Sequence, residues 1–418
     1  MLIFSISILY MLKTFFLTLF VILSFTFYAQ KPESYNDPIS KKYGFKDATG
    51  KIIVAPKYDT VKAFKDNVAV VGKKITWTDY NYGLINKTGK EVIPLIYDYI
   101  YIDAGVVVVM SNYKYGFIDK AGKKLTSLIY NSIWAFSDGL AGVELYNKDK
   151  GESKWGFVNN TGKVVIPIKY DRVLSHKNGI IAQRDDKYFA VAKSGKETQL
   201  NYESVGHSAF GLLLVKANNK YGFINTKGEE AIALKYDDAW AFTEWERTGY
   251  LSSVRLNNKS GFIDTTGNEV VPLKYDFTGL FREGFANVTM NMVPAVDSKN
   301  GYIDSTGSLT IPMIYNSAGY FSEGLAPVSK KMNGRNFAYG FIDKTGKEII
   351  PFEFEIAEEF SEGLAAVKKN GKYGFINKEG KEVIAFKYDG VISGFRNKVA
   401  KVMLNGKKID ISITGKEY

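Results

Sequence analysis

Short runs of alternating apolar and polar residues fill this chain from about residue 41 onward. In Tyr115-Gly116-Phe117-Ile118-Asp119, Tyr115, Phe117 and Asp119 fall on one face of a strand, and Gly116 and Ile118 on the other. Asp119-Lys120-Ala121-Gly122 then reads as a turn. Its acid bonds its own backbone, and its glycine takes the left-handed position. The phrase recurs in eleven copies, 33 to 40 residues apart. A period of that size predicts a tandem array of small units in place of one conventional domain.

One copy predicts three strands. Leu364 to Lys369 is the first, and Asn370-Gly371 a hairpin turn. Tyr373 to Asn377 is the second, Asn377 to Gly380 the next turn, and Lys381 to Phe386 the third. A segment of the Tyr388-Asp389 type leads on, with room for a short fourth strand. The first glycine of a copy is Gly44, Gly83, Gly116, Gly156, Gly222, Gly261, Gly301, Gly340 or Gly374; Phe189 and Ile409 replace it twice. The second is Gly50, Gly89, Gly122, Gly162, Gly195, Gly228, Gly267, Gly307, Gly346, Gly380 or Gly415. Glycine weakens a strand, so its recurrence implies close approach, and a neighbouring ring lying over the bare backbone is the expected cause. Rings recur in register, as at Tyr58, Tyr315 and Phe354, with phenylalanine six residues later at Phe64, Phe321 and Phe360. These rows predict a core shared between copies, because a unit of about 35 residues without disulfides rarely folds alone.

The expected fold is therefore all-β: about eleven antiparallel three- to four-stranded meanders in an open, solenoid-like stack. The alternative is a closed propeller-like ring or rings.

The phrase Lys154-Trp155-Gly156-Phe157-Val158-Asn159-Asn160-Thr161-Gly162-Lys163 resembles the repeat of the WG-repeat family. Elsewhere tyrosine replaces the tryptophan, as at Tyr43, Tyr82, Tyr221 and Tyr339, while Ser260, Asn300 and Lys408 depart from the pattern. The Phe-Ser-Glu-Gly-Leu-Ala segments at Phe321 and Phe360 also resemble the family's linking segment. The resemblance spans residues 41–418. It implies β-rich exported or surface modules with no family-wide catalytic residues.

Residues 1–28 are almost wholly apolar, with Lys13 the one charge. Residues 1–29 read as a signal peptide whose translation start is Met11; an uncleaved N-terminal membrane anchor is the alternative. Residues 30–40 then read as a linker. Either way the array is expected outside the cytoplasm: periplasmic, on the cell surface or secreted. With no cysteine, neither a lipoprotein signal nor a disulfide is available. Without residues 1–29, 54 basic and 44 acidic residues remain, a balance of +10. Lysines follow many repeat glycines at even spacing, which reads as solubilisation rather than a binding patch. Nucleic acid is not expected as a partner, and membrane contact only through residues 1–28 if uncleaved.

Chemistry is sparse. His176 and His207 are the only histidines, so zinc or Cys/His catalysis is not expected. Turn acids such as Asp119, Asp264, Asp304 and Asp343 lack the dense spacing of a calcium loop. The Gly-x5-Gly spacing is not a phosphate loop, and Glu358-Glu359 reads as solvated. No enzyme activity and no cofactor are expected. Four longer hairpins stand out: Gly72–Asn81, Tyr146–Ser153, Thr289–Lys299 and Lys330–Ala338. Insertions at one repeat position mark a binding side. Trp134 and Trp240 share one position, where either core filling or recognition fits; with Trp77 and Trp245 they are the candidate recognition residues. The expectation is an exported, non-enzymatic scaffold recognising protein or glycan, against a hydrolase of extracellular or cell-wall polymer or a structural spacer.

Overall fold

The computed structural model describes residues 32–175, 177–207, 209–245, 249–291, 298–332 and 337–418. The proposed signal peptide or anchor and His176 lie outside the described residues. The described residues form eleven small antiparallel sheets of three to five strands, and none closes into a barrel. The fold is all-β and built of tandem repeats. The chain divides into an N-terminal body, residues 1–176 with 192–196, and a C-terminal body, residues 177–191 with 197–418.

The predicted alternation produces the strands. In the last complete copy, Ala365–Lys369, Lys372–Ile376 and Glu382–Tyr388 pair as a meander. The short strand that follows a row tyrosine does not close its own sheet. It opens the next one: Thr60–Val61, just after Tyr58, pairs with Val71 and Gly72 of the following copy. The expected linker also contributes, since Glu33–Asn36 is a strand paired with Tyr43–Lys46.

The first glycine is needed for a different reason from the one expected. Its nearest neighbour is backbone, with a ring added only at Gly374, where Phe386 follows the Ile384 oxygen. A Cβ on Gly44 would lie 2.2 Å from the Val54 carbonyl oxygen, and one on Gly261 2.4 Å from that of Val271. The third strand bulges there. Tyr43 pairs with Tyr58, yet Phe45 pairs with Val54, so two residues of one strand face four of the other. The excess backbone arches over the glycine, and Pro56 sits in the arch, where no ladder donor is required. The two exceptions obey the same rule. At Phe189 the pairing with Glu197–Leu200 is regular, without a bulge. At Ile409 no long strand follows in the sheet, so nothing arches over it.

Within each body, an inner sheet buries both faces against its sequence neighbours. Phe45, Val54 and Tyr58 cluster with Phe64, Ala69, Val71 and Ile85 of the next sheet. The opposite face of that next sheet, Val68, Val70, Leu84 and Ile93, clusters with Ile100, Val107, Val109 and Ile118 of the one after. Ring pairs cross the interfaces: Phe45–Phe64 at 4.7 Å, Phe223–Phe242 at 4.7 Å and Phe341–Phe360 at 5.0 Å between centroids. The shared interior expected from the aromatic rows is present, although Tyr202, Phe136 and Phe281 are only partly buried. The outer faces of the first and last sheets carry charge. Lys46 replaces the usual Ile or Val and lies 3.5 Å from the Tyr35 ring centroid, while Lys401 pairs with Asp410 at 2.8 Å in the last sheet.

Carboxylates staple successive copies together. Asp59, Asp237 and Asp389 follow row tyrosines. Each binds the lysine before the glycine strand of its own copy: Lys42, Lys220 at 2.5 Å and Lys372 at 2.6 Å. Each also accepts a backbone N–H from the next copy's hairpin: Lys74 at 3.0 Å, Asn257 at 2.7 Å and Asn405 at 2.6 Å. A second set joins the loops. Glu283 accepts from the Glu323 and Gly324 amides at 2.6 and 2.9 Å, Glu323 from Gly363, and Glu362 from Asn397 and Lys398. Lysine bonding, then the amide, holds the carboxyls of Asp59, Asp237 and Asp389 below their usual range. Burial opposes the charge of Glu283, but the Gly324 amide, Lys344 and the Glu323 amide outweigh it and lower it too.

Gly261→Ala forces a methyl into the arch and is expected to lower stability by about 1–3 kcal/mol in urea titrations. Gly206→Ala, where the nearest backbone atom is 3.5 Å away, is expected to stay within about 0.5 kcal/mol. The staples set the acid response. A carboxyl lowered by folding contributes stability above its unfolded pKa of about 4, and that contribution is lost as pH falls through the folded value. The melting temperature is expected to hold from pH 7 to about 5 and to drop below about 4. In Asp59→Asn/Asp237→Asn/Asp389→Asn the drop is expected to be shallower, as read by melting across pH.

Candidate recognition surfaces

The hairpin between the first long strand and the glycine strand stands at the same end of every sheet. Its minimal form is a two-residue turn in which both residues have positive φ, as at Asn218-Asn219, Asn257-Asn258, Asn370-Gly371 and Asn405-Gly406. That geometry selects Asn and Gly. Asn112-Tyr113 breaks the rule: Tyr113 sits at φ 60° with its side chain 85% exposed. A bulky residue in the left-handed region costs about 1–2 kcal/mol, and such strain concentrates at functional positions.

The flanking copies of the N-terminal body also present aromatic side chains from this hairpin. Trp77 stands at the tip of the longer one, 92% exposed, with Lys74 Nζ 4.9 Å from its ring centroid. The tip is held in shape by the Ile75 amide donating to the Asp79 carbonyl at 2.9 Å and by Thr76 Oγ1 donating to Asp79 Oδ2 at 2.6 Å. Below it, Tyr80 and Tyr82 stack at 5.8 Å. Burial, then the neighbouring Tyr80 and Tyr99 hydroxyls, push the Tyr82 phenol up, so the ring stays neutral at physiological pH. Tyr146 is exposed beside a turn in which Asn147 Oδ1 accepts the Asp149 and Lys150 amides. Three consecutive copies therefore carry Trp77, Tyr113 and Tyr146 on one edge. Tyr113 and Tyr146 were not singled out from sequence. The available signal was Tyr113 in a turn position held by Asn, Asp or Gly in the other two-residue turns.

The other predicted residues separate. Trp134 is half-buried. It packs on Trp155 with centroids 4.7 Å apart, and a Cβ on Gly142 would touch its ring at 3.4 Å. Trp240 is 64% exposed, although it occupies the same repeat position. Trp245 ends the strand Thr243–Trp245, and its side chain lies outside the described residues. So do the centres of the insertions Thr289–Lys299 and Lys330–Ala338, at 292–297 and 333–336.

The C-terminal body contains an open groove of about 800 Å³ near its last two sheets. Glu358 and Glu359 line it with Arg282, Arg396 and Lys401. Both carboxylates come from one segment, whereas a two-carboxylate glycosidase places them on facing walls. Lys401 is already paired with Asp410. Among the described residues no three histidines or carboxylates gather to hold a metal ion, and no helix is long and apolar enough to cross a membrane.

In stability assays, Trp134→Ala is expected to lose about 1–3 kcal/mol and Trp77→Ala less than about 0.5. Tyr113→Asn is expected to gain about 1 kcal/mol by relieving its turn.

Comparison with known proteins places this architecture. Three solved structures match the chain at low similarity. One is described as a eukaryotic initiation factor: 13% identity, 81% of this chain and 92% of that one, TM-score 0.31. Another is the extracellular domain of a putative one-component system from B. thetaiotaomicron: 10% identity, 93% and 76%, TM-score 0.25. The third is PorZ, a surface component of the type-IX secretion system of Porphyromonas gingivalis: 10% identity, 93% and 59%, TM-score 0.21. No curated protein matches the chain. The profile described as "WG containing repeat" matches residues 43–74, 82–115, 115–148, 155–188, 221–259, 261–291, 301–331, 339–373 and 373–407. These nine matches are the copies that keep the first glycine, and the chain belongs to the WG-repeat family.

Proposed function

We propose that this chain is an exported, non-enzymatic scaffold that recognises a protein or glycan of the cell envelope through its aromatic hairpin edge. The observation that carries the reading is Tyr113, a large exposed ring held in a conformation that Asn or Gly would adopt more cheaply. Trp77 and Tyr146 extend the row on either side. Stacked sheets lie about 10 Å apart, so the rings recur at that interval. Such a ladder of flat, amphipathic side chains suits sugar faces or the side chains of an extended peptide. The tips offer rings and backbone but no group that titrates near neutral pH, which fits binding rather than turnover.

Capture from envelope extract is the test. Trp77→Ala/Tyr113→Asn/Tyr146→Ala is expected to lose at least tenfold of the material retained by the wild-type chain, while its melting temperature does not fall. Protease treatment of the extract separates a protein partner from a glycan. Undiminished capture by the triple variant would remove the aromatic edge as the binding surface.

A further inference from the structure

The opposite end of the same strands carries a second surface. There the turn Asx-x-x-Gly-x joins the glycine strand to the closing strand, and its residues form a continuous row in the N-terminal body. Each second glycine rests on the sheet before it. A Cβ on Gly89 would lie 3.1 Å from Val54 Cγ2, on Gly122 2.9 Å from the Val92 oxygen, on Gly162 2.8 Å from the Leu125 oxygen, and on Gly195 3.6 Å from the Val165 oxygen. The five turns 47–51, 86–90, 119–123, 159–163 and 192–196 hold eight lysines and two acids, +6. The six equivalent turns of the C-terminal body hold six lysines and five acids, +1.

The bodies as wholes repeat the imbalance. Residues 32–176 with 192–196 hold 23 basic and 15 acidic residues, +8, while residues 177–191 with 197–418 hold 30 and 29, +1. The excess is gathered on one body, contrary to the even distribution read from the sequence.

Lys51, Lys90, Lys123, Lys163 and Lys196, one after each turn glycine, are exposed and form no ion pair with a described residue. The acids at this end are already engaged. Asp47 Oδ1 accepts the Thr49 and Lys51 amides, Asp66 holds Lys120 at 2.9 Å, and Asp138 lies 4.0 Å from Lys193. In the C-terminal body the same position carries Glu229, Asn268 and Ser308 before lysine returns at Lys347.

We infer that the stacked turns of the N-terminal body bind an acidic polysaccharide along this lysine row. Sheet stacking sets one exposed cation about every 10 Å. In a polyuronate, which carries one carboxylate per sugar, every second carboxylate recurs on that scale. Duplex DNA, with a charge about every 1.7 Å, is far denser. The exposed large apolar residues next to the row lysines, Ile52 and Val164, are aliphatic and offer no base-stacking platform of the kind single-strand binders use. This surface is independent of the aromatic edge, which stands at the other end of the strands.

The test measures binding of sodium polygalacturonate to the full chain, with neutral dextran and a single-stranded DNA oligonucleotide as comparison probes. The wild-type chain is expected to bind polygalacturonate with affinity falling linearly in log salt, and to leave dextran unbound. Lys51→Glu/Lys90→Glu/Lys123→Glu/Lys163→Glu/Lys196→Glu is expected to weaken binding at least tenfold. Lys347→Glu/Lys381→Glu/Lys416→Glu is expected to weaken it less than twofold. If circular dichroism shows the five-fold reversal unfolded, the corresponding Lys→Gln set carries the comparison. Equal losses from both lysine sets, equal binding of dextran, or DNA bound as tightly as polygalacturonate would each overturn the inference.

Discussion

Backbone packed directly on backbone is the constraint from which this molecule is built. Where the third strand arches over a residue without a side chain, it gains length relative to its partner. That slack brings the row tyrosine opposite the residue before the glycine and lets the chain turn into the next sheet. The copies without the glycine show the dependence from the other side, since Phe189 lies under a regular ladder and Ile409 under none. Glycine here is a space requirement imposed by a proline-bearing bulge, and the rings are a consequence. Once the chain has turned, Phe45 meets Phe64 and the interior becomes common to neighbouring sheets.

Apolar stacking alone leaves neighbouring sheets free to slide, because a ring against a ring has a broad minimum. The carboxylates remove that freedom. Asp389 bonds a lysine of its own copy and an amide of the next, and Glu283 reaches two amides of the following loop. Geometry is therefore set by short directional contacts at the rims, while the interior supplies the bulk of the attraction. With both rims fixed, each presents its own chemistry to solvent: rings at the hairpin end of the N-terminal body, cations at the turn end.

Much of this was legible beforehand. Alternation in Tyr115 to Asp119 identified the strand and its two faces, and Phe117 and Ile118 do pack against different neighbours. Asn370-Gly371 and the turn ending at Gly380 placed the boundaries of the last full meander within a residue or two. Which sheet the short opening strand joins was not legible, because two residues such as Thr60-Val61 carry no periodicity. The arch was misread because a bulge leaves no mark in an alternation pattern beyond extra residues near Pro56. The lysine row was hidden because each lysine looks isolated until the turns are known to stack. Tyr113 needed comparison with Asn219, Asn258 and Gly371 in the equivalent turn.

The rim staples also shape the response to force. Each joins one copy to the next, and each meander pairs mainly within itself. Tension applied along the chain therefore meets a series of similar weak junctions in place of one large cooperative barrier. Extension then proceeds by releasing meanders singly, so a chain built this way lengthens in steps under load and re-forms when the load falls.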